Sequence, residues 1–129
     1  YKDTYNLLNN SSRALVTSGT ATLETAFFNV PQIVCYKTSW LSYIIAKSLV
    51  KIKYISLVNL IMDKEIVKEL IQNNLSVFKL TKELNILNDD LALNKMKVSY
   101  QLLIAKCQGE NVSKNIATDM FKTIESFQK

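Results

Sequence analysis

A chain of 129 residues, 48% hydrophobic and 21% charged, is long enough for one packed domain and too apolar for disorder. It holds no histidine and only two far-separated cysteines, Cys35 and Cys107, which excludes a zinc cluster or a histidine-based triad made from these residues alone. The net charge is +5, and between Glu24 and Asp63 there are only basic charges, among them Lys37, Lys47, Lys51 and Lys53, a pattern that indicates an anionic partner or a solvated basic face.

The opening "YKDTYNLLNN" begins without Met and lacks the apolar core of a signal peptide, so the sequence reads as a piece of a longer protein. "RALVT" (13–17) is a short apolar run ending at a turn, the pattern of a buried strand. "TATLETAFFN" (20–29) has helical spacing, with Leu23, Ala26 and Phe27 on one face. Pro31 stops that helix, and "QIVCY" (32–36) is rich in strand formers, with Cys35 as a buried thiol suited to a reducing cytoplasm.

"SWLSYIIAKSLVK" (39–51) predicts a helix apolar on most sides, edged by lysines. It suits either a core helix packed on both sides or one lying at an anionic membrane surface. "KYISL" (53–57) predicts a third strand, followed by an irregular "VNLIM" and a helix from about Asp63 to Gln72. No apolar run approaches the ~18 residues of a spanning helix.

Beyond residue 75 the pattern is helical. "SVFKLTKELNILN" (76–88) starts at N-cap Ser76, and "DLALNKMKVSYQLLIAKCQ" (90–108) ends at Gly109. The last segment carries Ile116, Met120, Phe121 and Ile124 on a common face. The predicted fold is therefore α/β: a partial Rossmann-like parallel sheet of about three strands with crossover helices over 1–75, then a C-terminal helical segment over 76–129. Ligands of such sheets bind beyond the carboxyl ends of the strands, which marks Thr17 to Thr20, Tyr36 to Ser39 and Leu57 to Met62 as one rim.

On that rim, Ser18-Gly19-Thr20 turns a strand into a helix. Exposed amides and the helix dipole make such a turn an anion site, and glycine lets a phosphate approach the backbone. The hydroxyls of Ser18, Thr20 and Thr22 add donors, and Glu24, one turn on, could accept both hydroxyls of a ribose. On spacing alone, a capped helix start with a dipole-complementing glutamate explains the same residues. Asn59, a lone polar residue in an apolar stretch, reads either as a turn-forming Asn or as a rim residue.

The stretch from Leu15 to Gln72 resembles the C-terminal, nucleotide-sugar-binding half of bacterial lipid-A-disaccharide synthases. The resemblance is carried by "SGTATLE", the proline opening the next strand, the "AKSLVK" helix end and "YISLVNLI", in that order. It implies that Ser18, Gly19, Thr20 and Glu24 hold the donor's UDP, with Asn59 beside them. Lys64 stands where the family usually has the Arg of Gly-Arg-Glu, keeping the charge without the bidentate fork.

The resemblance further implies a whole enzyme that moves 2,3-diacylglucosamine from UDP to 2,3-diacylglucosamine 1-phosphate, peripheral on the inner face of the inner membrane. No metal or cofactor is implied, and the general base is expected in an N-terminal domain, so this part alone should be inactive. Two other readings fit the residues: a UDP-N-acetylglucosamine transferase with a non-lipid acceptor, and a basic α/β module for nucleic acid. The latter has only Arg13 in support, and no nucleic-acid partner is expected. A truncated sheet leaves an open edge, from which a homodimer, self-paired or swapped, is expected.

Overall fold

The structure is a computed structural model, and it describes residues 3–17, 19–39 and 53–108. The expected helix at 39–51 and the apolar face from Ile116 to Ile124 lie outside the described residues, apart from Ser39. Three strands, β1 (Ala14–Val16), β2 (Gln32–Tyr36) and β3 (Lys68–Ile71), form a parallel sheet in the order β1-β2-β3. Val16 pairs with Val34, and Tyr36 pairs with Ile71. Around the sheet lie α1 (Thr4–Asn9), α2 (Thr20–Phe27), α3 (Leu57–Met62), α4 (Val77–Ile86) and α5 (Asp90–Cys107).

β2 alternates between two cores because a central parallel strand is covered on both sides. Val34 joins Ala26, Val58, Val67, Tyr100 and Leu103 under α2, α3 and α5. Ile33 joins Leu70 and Leu87 on the other side, against Leu80 and Leu84 of α4. Each such aliphatic side chain contributes about 1.5–3 kcal/mol when fully buried. The helix expected to start at Ser76 does so, since the Ser76 side chain accepts from the Lys79 amide. The expected helix at 90–108 is α5, capped by Asp89. Phe27, expected on the buried face of α2, is 47% exposed, while Ala26 behind it is fully buried.

The segment from 53 to 72 departs from expectation. "KYISL" is not a strand: Ser56 makes a single parallel bridge to Gly19 and then caps α3, which replaces the expected irregular stretch. The third strand instead lies inside the expected helix from Asp63 to Gln72. Ile66, Val67, Leu70 and Ile71 have helical spacing, but as a strand the segment pairs its backbone with β2 and places Val67 and Leu70 in opposite cores. Asp63, in the left-handed region at φ 46°, ends α3 and forces the change of direction. The rim therefore gains Gln72 from β3 and loses all of α3 except its N-cap.

Asn59 is what locks this arrangement. Its side-chain nitrogen donates to the Val67 carbonyl at 2.8 Å and to Glu69 Oε1 at 2.9 Å. Its oxygen accepts from the amides of Ile66 at 2.8 Å and Val67 at 3.0 Å. Glu69 also accepts from the amides of Ile55 and Ser56. Lys106 adds a bond from α5 to the carbonyl of Ile61, 2.6 Å long.

Two stability predictions come from this core. Replacing Asn59 with Leu strands two buried amides and a carbonyl, and should cost about 3 kcal/mol in urea unfolding of the full-length protein. A loss below about 1 kcal/mol would mean that those groups find other partners. Tyr100 is fully buried, and desolvation holds its phenol well above the ordinary range despite the bond from Gln32. Its contribution is whole below the unfolded phenol value of about 10 and is lost as pH rises from there towards the folded value, by up to about 1.4 kcal/mol per unit. The alkaline stability curve of Tyr100→Phe should lack that increment.

Candidate functional site

β1 ends at Val16, and Gly19 starts α2 with φ 75° and ψ −152°, a combination essentially reserved for glycine. The turn is open: a methyl group built at Gly19 would meet no atom within 4 Å. Among the described residues no side chain caps this helix start. Thr20 and Ala21, in the first turn of α2, are exposed. A helix start without a side-chain cap, with its first residues exposed, favours an anion.

Glu24 lies one turn further along and is half-buried. It lines a groove of about 400 Å³ with Arg13, Thr17, Ala21 and Thr25, closed on its far side by Leu7 and Leu8 of α1. Among the described residues its carboxylate has no hydrogen-bond partner, which leaves it available to hydroxyl donors. The exposed turn and the carboxylate thus stand along one helix, at the carboxyl end of β1. Thr22, counted from the sequence as a further donor, points inward: it is fully buried and its hydroxyl donates to the Gly19 carbonyl at 2.7 Å. Ser18 lies outside the described residues.

The other expected site residues are not gathered here. Asn59 is fully buried, and its amide is spent on the Val67, Ile66 and Glu69 bonds. Lys64 is exposed and lines a different groove, of about 260 Å³, with Gln32, Lys68 and Lys95 at the amino ends of β2 and β3. The reason is the reassigned strand: α3 runs back from the rim, so whatever follows its C-terminus arrives at the opposite edge of the sheet.

A residue that sequence reasoning missed is Glu69. Its carboxylate accepts the amides of Ile55 and Ser56 at 2.9 and 3.0 Å, and Ser56 is the residue bridged to Gly19. A glutamate amid "VKELIQ" looks like one more solvated helix charge, and only its place in a strand gives it this role. Cys35, read as a buried thiol, is half-buried, and its desolvation raises the thiol pKa. Among the described residues no cluster of histidine, cysteine or carboxylate side chains could hold a metal ion. No described helix is long and apolar enough to cross a membrane.

A profile of the family described as lipid-A-disaccharide synthetase matches residues 1–121. The chain is 55% identical over 71 residues to a lipid-A-disaccharide synthase of Psychromonas ingrahamii, covering 55% of this chain and 19% of that protein. It is 35% identical over 121 residues to the lipid-A-disaccharide synthase of a Sulfurihydrogenibium species, covering 93% of this chain and 31% of that protein. A third such synthase, from an Anaeromyxobacter species, is 40% identical over 100 residues, 78% of this chain and 26% of that protein. The chain thus spans less than a third of the length of these relatives.

Gly19→Ala tests the turn without touching a packed neighbour. It should cost about 1–3 kcal/mol in thermal or urea unfolding, because alanine at this backbone geometry is strained even in open space. An unchanged midpoint would show that the turn relaxes to a conformation any residue adopts.

Proposed function

The chain belongs to the lipid-A-disaccharide synthetase family, and from that premise we propose that the Gly19 turn and Glu24 hold the UDP of a nucleotide-sugar donor. The observation that carries the reading is the open glycine turn with, one helical turn away on a groove, a carboxylate that has no hydrogen-bond partner among the described residues. The diphosphate lies against the amides of the turn, where the α2 dipole and the hydroxyl of Thr20 favour negative charge. Glu24 accepts from the ribose hydroxyls.

The full-length protein then moves 2,3-diacylglucosamine from UDP to 2,3-diacylglucosamine 1-phosphate. The acceptor's 6-hydroxyl oxygen bonds to the donor's anomeric carbon as the bond from that carbon to the diphosphate oxygen breaks. The electron pair of the broken bond leaves on UDP, and the hydroxyl proton goes to a base in the N-terminal part of the whole enzyme. Charge grows on the leaving diphosphate, so donors fixed at that point lower the barrier without a metal. This part supplies the nucleotide-binding groups and, without the N-terminal part, does not catalyse.

Asn59 takes a supporting place in this reading: through Glu69 and Ser56 it holds the segment that borders Gly19. Lys64 is left out, since it belongs to the opposite edge. The substrates carry acyl chains, so the whole enzyme works at the inner face of the inner membrane as a peripheral protein, paired as a homodimer.

Isothermal titration of UDP into the full-length protein tests the site. Glu24→Ala should weaken binding about tenfold, as expected for the loss of hydrogen bonds to a charged acceptor. Lys64→Ala should bind like the wild type. Equal affinity for wild type and Glu24→Ala would remove Glu24 from the site.

A further inference from the structure

A second strained residue stands on the same rim. Gln72 follows β3 with φ 52°, in the left-handed region that glycine or asparagine adopts more readily. Its side chain accounts for the choice. Oε1 accepts from the Thr38 amide at 3.1 Å, and Nε2 donates to the Thr38 carbonyl at 3.1 Å. A turn alone would be served by glycine; only the length of glutamine makes both bonds.

The registers show what these bonds hold. The β2–β3 ladder ends with Tyr36 opposite Ile71, so Gln72 follows opposite Lys37 and reaches one residue further. The β1–β2 ladder ends with Val16 opposite Val34, and Gly19 and Lys37 each come three residues later. Gly19 leaves that register to bridge Ser56, and Lys37, exposed, follows the carboxyl end of the neighbouring strand, so both stand on the same rim. The backbone next to it is fixed by a side chain from the third strand.

We propose that Gln72 is a positioning residue: by clamping Thr38 it holds the Lys37 ammonium at the rim, where it meets the diphosphate bound on the Gly19 turn. The proposal rests on the nucleotide reading above and adds to it the cation and the residue that places it. An ammonium on a flexible stem gains little from a phosphate unless its backbone is fixed close by.

The test is UDP titration of the full-length protein and its Lys37→Ala, Gln72→Gly, Gln72→Glu and Lys37→Ala/Gln72→Gly variants, with Glu24→Ala alongside. Gln72→Gly trades two hydrogen bonds for relief of the left-handed strain, so its melting temperature should stay close to the wild type's, yet UDP should bind about tenfold more weakly. Gln72→Glu keeps the acceptor for the Thr38 amide and loses the donor, and should fall between the two. Lys37→Ala should weaken binding similarly, and the double variant should be no weaker than either single one.

Wild-type affinity in Gln72→Gly and Gln72→Glu, or additive losses in the double variant, would overturn the proposal while a weakened Glu24→Ala keeps the nucleotide site. Full affinity in Glu24→Ala, or no UDP binding by the wild type, would instead remove the nucleotide reading and this proposal with it.

Discussion

Glu69 accepts from the amides of Ile55 and Ser56 and from the side chain of Asn59, and through those bonds the segment before α3 is tied to the sheet. The tie matters because Ser56 stands against Gly19. A half-buried carboxylate in low dielectric is costly unless hydrogen-bonded, and here three donors meet it. The amides of Ile55 and Ser56 would in turn lack these partners without it. Each side of the arrangement needs the other, so the Gly19 turn inherits its place from a network that reaches it through Ser56. Gly19 supplies the conformation, and Glu69 with Asn59 supplies the position.

The first half of the fold was legible because its signals were local. Val16 ends an apolar run, Gly19 breaks it, Pro31 stops the helix and "QIVCY" has strand formers throughout, and β1, α2 and β2 fall where those residues put them. The helices after residue 75 were legible for the same reason, with Ser76 capping one and Asp89 beginning the other. The stretch from 53 to 72 was not. Ile66, Val67, Leu70 and Ile71 suit a helix face by spacing, and the preference was overridden by pairing with β2, a partner more than thirty residues earlier. Buried strands of parallel sheets carry no clean alternation, so periodicity alone cannot separate them from helix.

The same override redistributed the candidate site. Asn59 and Lys64 are close in sequence, and a strand ending near 57 would have left both at the carboxyl rim. With α3 in that place, Asn59 sinks into the core and Lys64 emerges at the amino edge. The residues that do share the rim, Gly19, Lys37 and Gln72, come from the ends of three different strands. No sequence spacing joins them; only the register does. Membership of the lipid-A-disaccharide synthetase family gives the chain its general context, while which side chains share the rim comes from the strand register.

The parallel topology has a consequence for how the molecule assembles. Every strand pairing spans a long excursion of chain, and Gly19 is bordered by a residue held in place from β3. Closing such loops costs entropy before any contact repays it, so pairing of this kind comes late and slowly. The glycine bend is early in the chain, yet its final setting depends on groups that come much later in it. A polypeptide cut after β2 keeps the residues of that bend and lacks Ser56, Glu69 and Gln72, the groups that border and brace it.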